Sequence, residues 1–205
     1  MIPGLLLSGG YSRRLGFNKA ELKVGNEICI NRVATAMGLA GFNPIFEIGR
    51  GYSYLDNIVE PDIGQGPLGA IVFGFKYLNK LGYVGPIMVL SCDLPFIDYR
   101  ALNFINLSSK DKSVIPVIGG TKQPLCAKWS IDDLSFGSEL YANKERSLKW
   151  FPITEGVLLK DNSVWEQFGG SINFKDVDTV EDTKYISDFF TTHNTDHIQQ
   201  QNLGV

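Results

Sequence analysis

The chain holds only two histidines, His193 and His197, both in a polar terminal stretch. A histidine-based metal site or a Ser-His-Asp triad is therefore not expected. Its three cysteines, Cys29, Cys92 and Cys126, are far apart and odd in number. That suits free thiols and offers no zinc-type pair. A basic excess is missing too: 19 Lys and Arg stand against 22 Asp and Glu, a net charge of −3. Duplex nucleic acid calls for the opposite balance, so any anionic ligand must be met by a local cluster. No apolar run reaches ~18 residues, so no transmembrane helix is expected. The opening MIPGLLLSGG has too short an apolar part, and no basic lead, for a signal peptide. A cytoplasmic protein is expected.

What is present is a globular balance. The 205 residues are 44% hydrophobic, 12% aromatic and 20% charged, enough apolar mass for one real core. Short apolar runs alternate with amphipathic stretches. Strands are expected at Leu5–Leu7, Pro44–Ile48, Asn57–Glu60, Pro86–Ser91, Ser113–Ile118, Leu125–Trp129 and Val157–Lys160. Helices are expected at Ile28–Ala40, Leu68–Leu81, Asp98–Leu107, Ile131–Tyr141, Ser163–Phe168 and Val180–Phe190. PIMVLS (residues 86–91) is apolar almost throughout, as a parallel strand buried on both faces requires. The alternation predicts a single-domain three-layer α/β/α sandwich with a mostly parallel sheet over residues 1–190, then a polar tail at 191–205. Ligands of such sheets bind beyond the C-terminal strand ends. Two loops fall there, the one after Leu7 and the one at Asp93.

The first reads LLLSGGYSRRLGFNKAELKVG from Leu5 to Gly25. Gly9 and Gly10 let backbone N–H groups wrap a phosphate, and Arg13, Arg14 and Lys19 bring positive charge. Neither the Walker A spacing nor G-x-G-x-x-G is present. The second reads LSCDLPFI, residues 90–97. A carboxylate ending a buried strand needs a partner, and Mg²⁺ bridging phosphates is a natural one. A helix cap is the plainer role. Gly66-Pro67-Leu68 opens a helix with proline near its first position, where free N–H groups can meet an anion.

These segments resemble the molybdenum cofactor guanylyltransferases, the MobA-like NTP transferases. Leu7, Gly9, Gly10, Ser12, Arg14, Gly16, Lys19, Ala20 and Leu22 fall on the pattern L-A-G-G-x-S-x-R-M-G-x-x-K-A-x-L. Ser8 and Leu15 depart from it. Cys92, Asp93, Pro95 and Phe96 fit C-D-x-P-F, and Gly66-Pro67-Leu68 fits G-P-L-x-G with Ala70 at the second glycine. Where the family often has an asparagine after the second strand, this chain has Glu47-Ile48-Gly49-Arg50.

The resemblance implies a Rossmann-like, GT-A-like nucleotidyltransferase fold. It also implies transfer of GMP from GTP to molybdopterin, with pyrophosphate released and Mg²⁺ as cofactor. CTP, another phosphorylated acceptor, or nucleotide binding without turnover are the alternatives. Carried over residue by residue, Arg14, Lys19 and Asp93 would be catalytic. Leu7, Ser8, Gly9, Gly10, Lys19, Asp62, Gly66 and Asp93 would bind the nucleotide. Asp93, Asp176 and Asp178 would hold the metal, and Gln123, Pro124 and Arg146 the acceptor. Asp178 or Thr179 would also serve as a cap for the helix from Val180. Partners would be these small molecules and cofactor-delivery or acceptor molybdoenzymes, with no nucleic acid and no membrane. The protein would be a monomer or weak homo-oligomer.

Overall fold

Residues 1–9, 19–60, 65–152 and 155–192 are described by the computed structural model of the chain. Its central strand is β1, Gly4–Leu7, buried along its whole length. The strands that follow are β2 (Lys23–Val24), β3 (Glu27–Ile28), β4 (Ile45–Ile48), β5 (Asp56–Ile58), β6 (Ile87–Ser91), β7 (Val114–Ile118), β8 (Thr121–Lys122), β9 (Cys126–Trp129) and β10 (Val157–Leu159). The helices are α1 (Cys29–Leu39), α2 (Gly66–Lys80), α3 (Tyr99–Leu107), α4 (Ile131–Ala142), α5 (Ser163–Glu166) and α6 (Val180–Thr192).

The main sheet runs β10-β7-β9-β6-β1-β4-β5, with β8 paired to β7, while β2 and β3 form a separate hairpin. The β6–β1, β1–β4, β4–β5 and β7–β10 pairs are parallel. β9 is antiparallel to both its neighbours. The chain can reverse there because the β7–β8 hairpin turns on Gly119-Gly120, both at positive φ (56° and 81°), as a two-residue turn matching strand twist demands.

Side chains alternate across the sheet and build two cores. Leu6, Met88 and Leu90 face α1 and α3. Leu5, Leu7, Ile87 and Val89 face α2 and α4. The three-layer sandwich and the mostly parallel sheet are therefore as expected. The sequence pattern missed β2, β3 and β8, two-residue strands too short to show a period. α6 reaches Thr192, two residues into the stretch assigned to the tail; residues 193–205 lie outside the described residues. No helix among the described residues is long and apolar enough to cross a membrane.

Candidate active site

Leu7 of β1 pairs with Ile48 of β4 on one side and Ser91 of β6 on the other. The residues that follow each strand, Ser8-Gly9, Gly49-Arg50 and Cys92-Asp93, therefore emerge side by side. The chain moves outward from β1 to β4 and β5, then returns across β1 to β6. The crevice lies at that switch in strand order, where open α/β sheets bind ligands.

Backbone bonds seat the first loop: Ser8 N–H donates to the Ile48 carbonyl (3.0 Å), and Cys92 N–H to the Leu7 carbonyl (3.1 Å). The Ser8 hydroxyl is buried and donates to Glu47 Oε1 at 2.5 Å. Glu47 is itself wholly buried. Its carboxylate also accepts the N–H groups of Gly51 (2.9 Å), Tyr52 (2.9 Å) and Ser53 (2.7 Å) and the Ser53 hydroxyl (2.6 Å). Burial pushes this carboxyl's pKa up, but the bonds from Ser53, Ser8 and the loop amides outweigh it and hold it below the usual glutamate value. Gly49, at φ +148°, closes the contact, since a methyl there would come within 2.8 Å of the Gly9 nitrogen. Glu60 is also buried next to Gly9. A methyl on Gly9 would meet its Oε2 at 3.0 Å, and burial raises its pKa.

On the β6 side, Lys19 opens a short 3₁₀ turn. Its ammonium lies 3.3 Å from Asp93 Oδ2 and bonds Asp178 Oδ1. Burial disfavours the cation, but Asp178 and Asp93 outweigh that and keep its pKa above the ordinary lysine value. Val177 N–H donates to the Asp93 carbonyl (3.2 Å), and the Val177 side chain is buried against β2 and α6. The alternation of an extended segment then puts Asp176 and Asp178 together on the side away from Val177. Asp176 has a raised pKa, first from partial desolvation, then from the charges of Asp178 and Asp93, with Lys19 opposing.

The helix cap belongs to Thr179. Its Oγ1 accepts Asp182 N–H (3.1 Å) while Asp182 Oδ2 accepts Thr179 N–H (2.9 Å), a reciprocal capping box. Asp178 is thereby left to Lys19.

The segments assigned to the acceptor border the same crevice. Ser91 N–H donates to the Leu125 carbonyl (2.8 Å), which sets the Gln123-Pro124 turn beside β6; Trp129 Nε1 holds the Pro124 carbonyl (3.0 Å). Arg146 bonds Gln65 Oε1 (3.2 Å) and the Tyr141 carbonyl (2.9 Å), with its guanidinium 4.1 Å over the Tyr141 ring. It therefore stands at the start of α2 beside Gly66. The Ala70 methyl is buried in the core under α2, so this departure from the glycine pattern leaves the crevice unaltered. Gly10, Arg14 and Asp62 lie outside the described residues.

Asp93, Asp176 and Asp178 were expected to form one metal set. Among the described residues, no three His, Cys, Asp or Glu side chains converge into a cage. Instead the Lys19 ammonium lies between two of them. Oxygen donors of this kind still fit Mg²⁺, which takes one or two carboxylates and completes its shell with phosphates and water. Glu47 and Glu60 are the site residues that sequence reasoning passed over. The available signal was a carboxylate inside or just beyond a buried strand, where a charge needs a reason.

A family model described as the MobA-like NTP transferase domain matches residues 4–147. A curated relative from Clostridium perfringens, described as a probable molybdenum cofactor guanylyltransferase, is 33% identical over 153 residues, covering 70% of this chain and 74% of its own. Another of the same description, from Pelotomaculum thermopropionicum, is 29% identical over 188 residues, covering 87% and 88%. The crystal structure of molybdopterin-guanine dinucleotide biosynthesis protein A from Archaeoglobus fulgidus superposes with a TM-score of 0.71 at 17% identity, covering 93% of this chain and all of that one. A 4-diphosphocytidyl-2C-methyl-D-erythritol synthase from Anaerococcus prevotii also shares the fold (TM-score 0.56, 12% identity, 93% and 96% covered), so the fold alone selects no base. The family match runs from β1 through Arg146 and takes in every loop of the crevice except the one carrying Asp176 and Asp178; the chain belongs to the MobA-like NTP transferase family.

Proposed function

We propose that the protein transfers GMP from GTP to the phosphate of molybdopterin in the cytoplasm, releasing pyrophosphate and forming the guanine dinucleotide cofactor. The observation that carries this reading is the Lys19 ammonium, held by Asp93 and Asp178 at the switch in strand order. The choice of GTP is supported by the description of the relatives as guanylyltransferases.

An acceptor phosphate oxygen attacks the α-phosphorus, the α–β bridging P–O bond breaks, and pyrophosphate leaves. The attacking oxygen is already anionic and needs no base, in keeping with the lack of usable histidine. The difficulty is bringing two polyanions in line, so positioning and charge neutralisation dominate. Lys19 supplies fixed positive charge to the triphosphate. Asp93, with Asp178 or Asp176 alongside, would hold Mg²⁺, which neutralises phosphate charge when bound. Glu60 makes the Gly9 end of the crevice electronegative, suited to the donors of a base or ribose, and this directs the phosphates towards Lys19. Arg146 and the Gln123-Pro124 turn border the acceptor's place.

Pyrophosphate release tests this with molybdopterin and Mg²⁺, supplying GTP and CTP in turn. Release with GTP and little with CTP is expected. Turnover with CTP alone would replace guanylyl by cytidylyl transfer, and none with any nucleotide would leave a binding protein.

A further inference from the structure

We infer that the side chains of Ser8 and Glu47 act as one positioning unit that fixes the Gly9 amide for the nucleotide; this rests on the transferase reading above. Two departures from the family pattern carry it, Ser8 in the first loop and the Glu47-Ile48-Gly49-Arg50 segment after the second strand of the parallel set. They are 39 residues apart in sequence and meet at 2.5 Å. Each resolves the other's difficulty. A buried hydroxyl needs an acceptor, and a wholly buried carboxylate needs donors. Glu47 collects those donors from Ser8 and from residues 51–53, so one side chain couples the end of β1 to the loop after β4.

Gly49 lets the two backbones touch at Ser8-Gly9. Gly9, next in the chain, is exposed, and its N–H donates to no group among the described residues. The unit therefore presents a donor held at a fixed place, open to a ligand oxygen, while Ser8 Oγ and Glu47 are spent on each other. Both act through the Gly9 peptide and are positioning residues.

Titration calorimetry with GTP and Mg²⁺ tests this on the full chain, with thermal melting to establish that each variant is folded. Ser8→Ala removes one hydroxyl and is expected to weaken GTP binding about tenfold, the scale of a hydrogen bond to a charged group. Glu47→Gln places an NH₂ against N–H donors and should weaken it at least as much. If Glu47→Gln does not fold, Ser8→Ala carries the test alone. The double variant should bind within about twofold of Glu47→Gln, since the pair acts once. In turnover, the GTP KM should rise with kcat little changed, because the contact is made in ground and transition states alike. Failure of the wild type to bind GTP overturns the transferase reading itself. Wild-type binding with an unaltered constant in folded Ser8→Ala, additive effects in the double variant, or a loss of kcat at constant KM each overturn the positioning unit.

Discussion

Lys19 lies within reach of two carboxylates, and the pKa of a third, Asp176, is raised by partial desolvation and then by the charges of those two. An arrangement that leaves like charges crowded is poor for folding and useful for binding a cation. Two substitutions separate these roles. Asp93→Ala should stay folded and lose roughly 10²–10³ in rate, the scale for removing a group aimed at transition-state charge, as steady-state pyrophosphate release would report. Undiminished turnover would refute a metal role. Asp176→Asn relieves the repulsion, so the ligand-free protein should melt at the same or a higher temperature while Mg²⁺-dependent GTP binding weakens. A lower melting temperature would mean that Asp176 is structural. Aspartates in D-V-D are legible as candidates, but that the middle residue enters a core, leaving both carboxylates on one side, was not.

At the level of elements, the loop carrying Asp178 is controlled by the start of α6. Asp182 serves that start twice, in the capping box and as the partner of Lys175 (2.8 Å), and these bonds hold its pKa well below the usual aspartate value. Along α6, Phe189 and Phe190 pack on Phe96 of the C-D-L-P-F segment at ring distances of 5.0 and 5.3 Å. The helix is therefore tied both to the Asp178 side of the crevice and to the Asp93 side. Thr179→Ala should cost about 1 kcal/mol in urea unfolding, the usual loss for a cap, and also reduce turnover by loosening Asp178. Thr179→Ser should restore both; a stability loss with full turnover would detach the cap from the site. The T-V-E-D pattern with Asp178 just before it suggested two candidates for the cap. Only the reciprocal bonds between Thr179 and Asp182 choose between them.

Across the whole molecule, the buried glutamates give opposite pH responses. The pKa of Glu60 is raised by burial, so its contribution to stability is full below the ordinary value of 4.5 and is lost as pH rises through its folded value. The pKa of Glu47 is lowered by its donors, so its contribution is full above 4.5 and is lost as pH falls through its folded value. Melting temperature should therefore pass through a maximum in mildly acidic buffer and drop steeply in stronger acid. Glu60→Gln should flatten the neutral side of that curve and leave the acid side alone. An unchanged neutral side would show that Glu60 carries no such penalty.

The sequence alone determined the α-helices and the strands longer than two residues, because a face buried against a neighbour imposes a period that survives in one dimension. PIMVLS had to be a doubly buried strand, and Gly-rich and Asp-bearing ends had to lie at ligand-binding edges. It also marked Lys19, in the glycine-rich loop, as a partner of anions, and Asp93 as a partner of cations, because charge at a strand end is costly without one. Only the tertiary structure decided that β9 runs against its neighbours, that Lys19 spans Asp93 and Asp178, and that Ser8 meets Glu47. Those outcomes depend on register and strand order, which place residues 39, 74 and 159 positions apart within bonding distance. Local periodicity contains no term for such pairs.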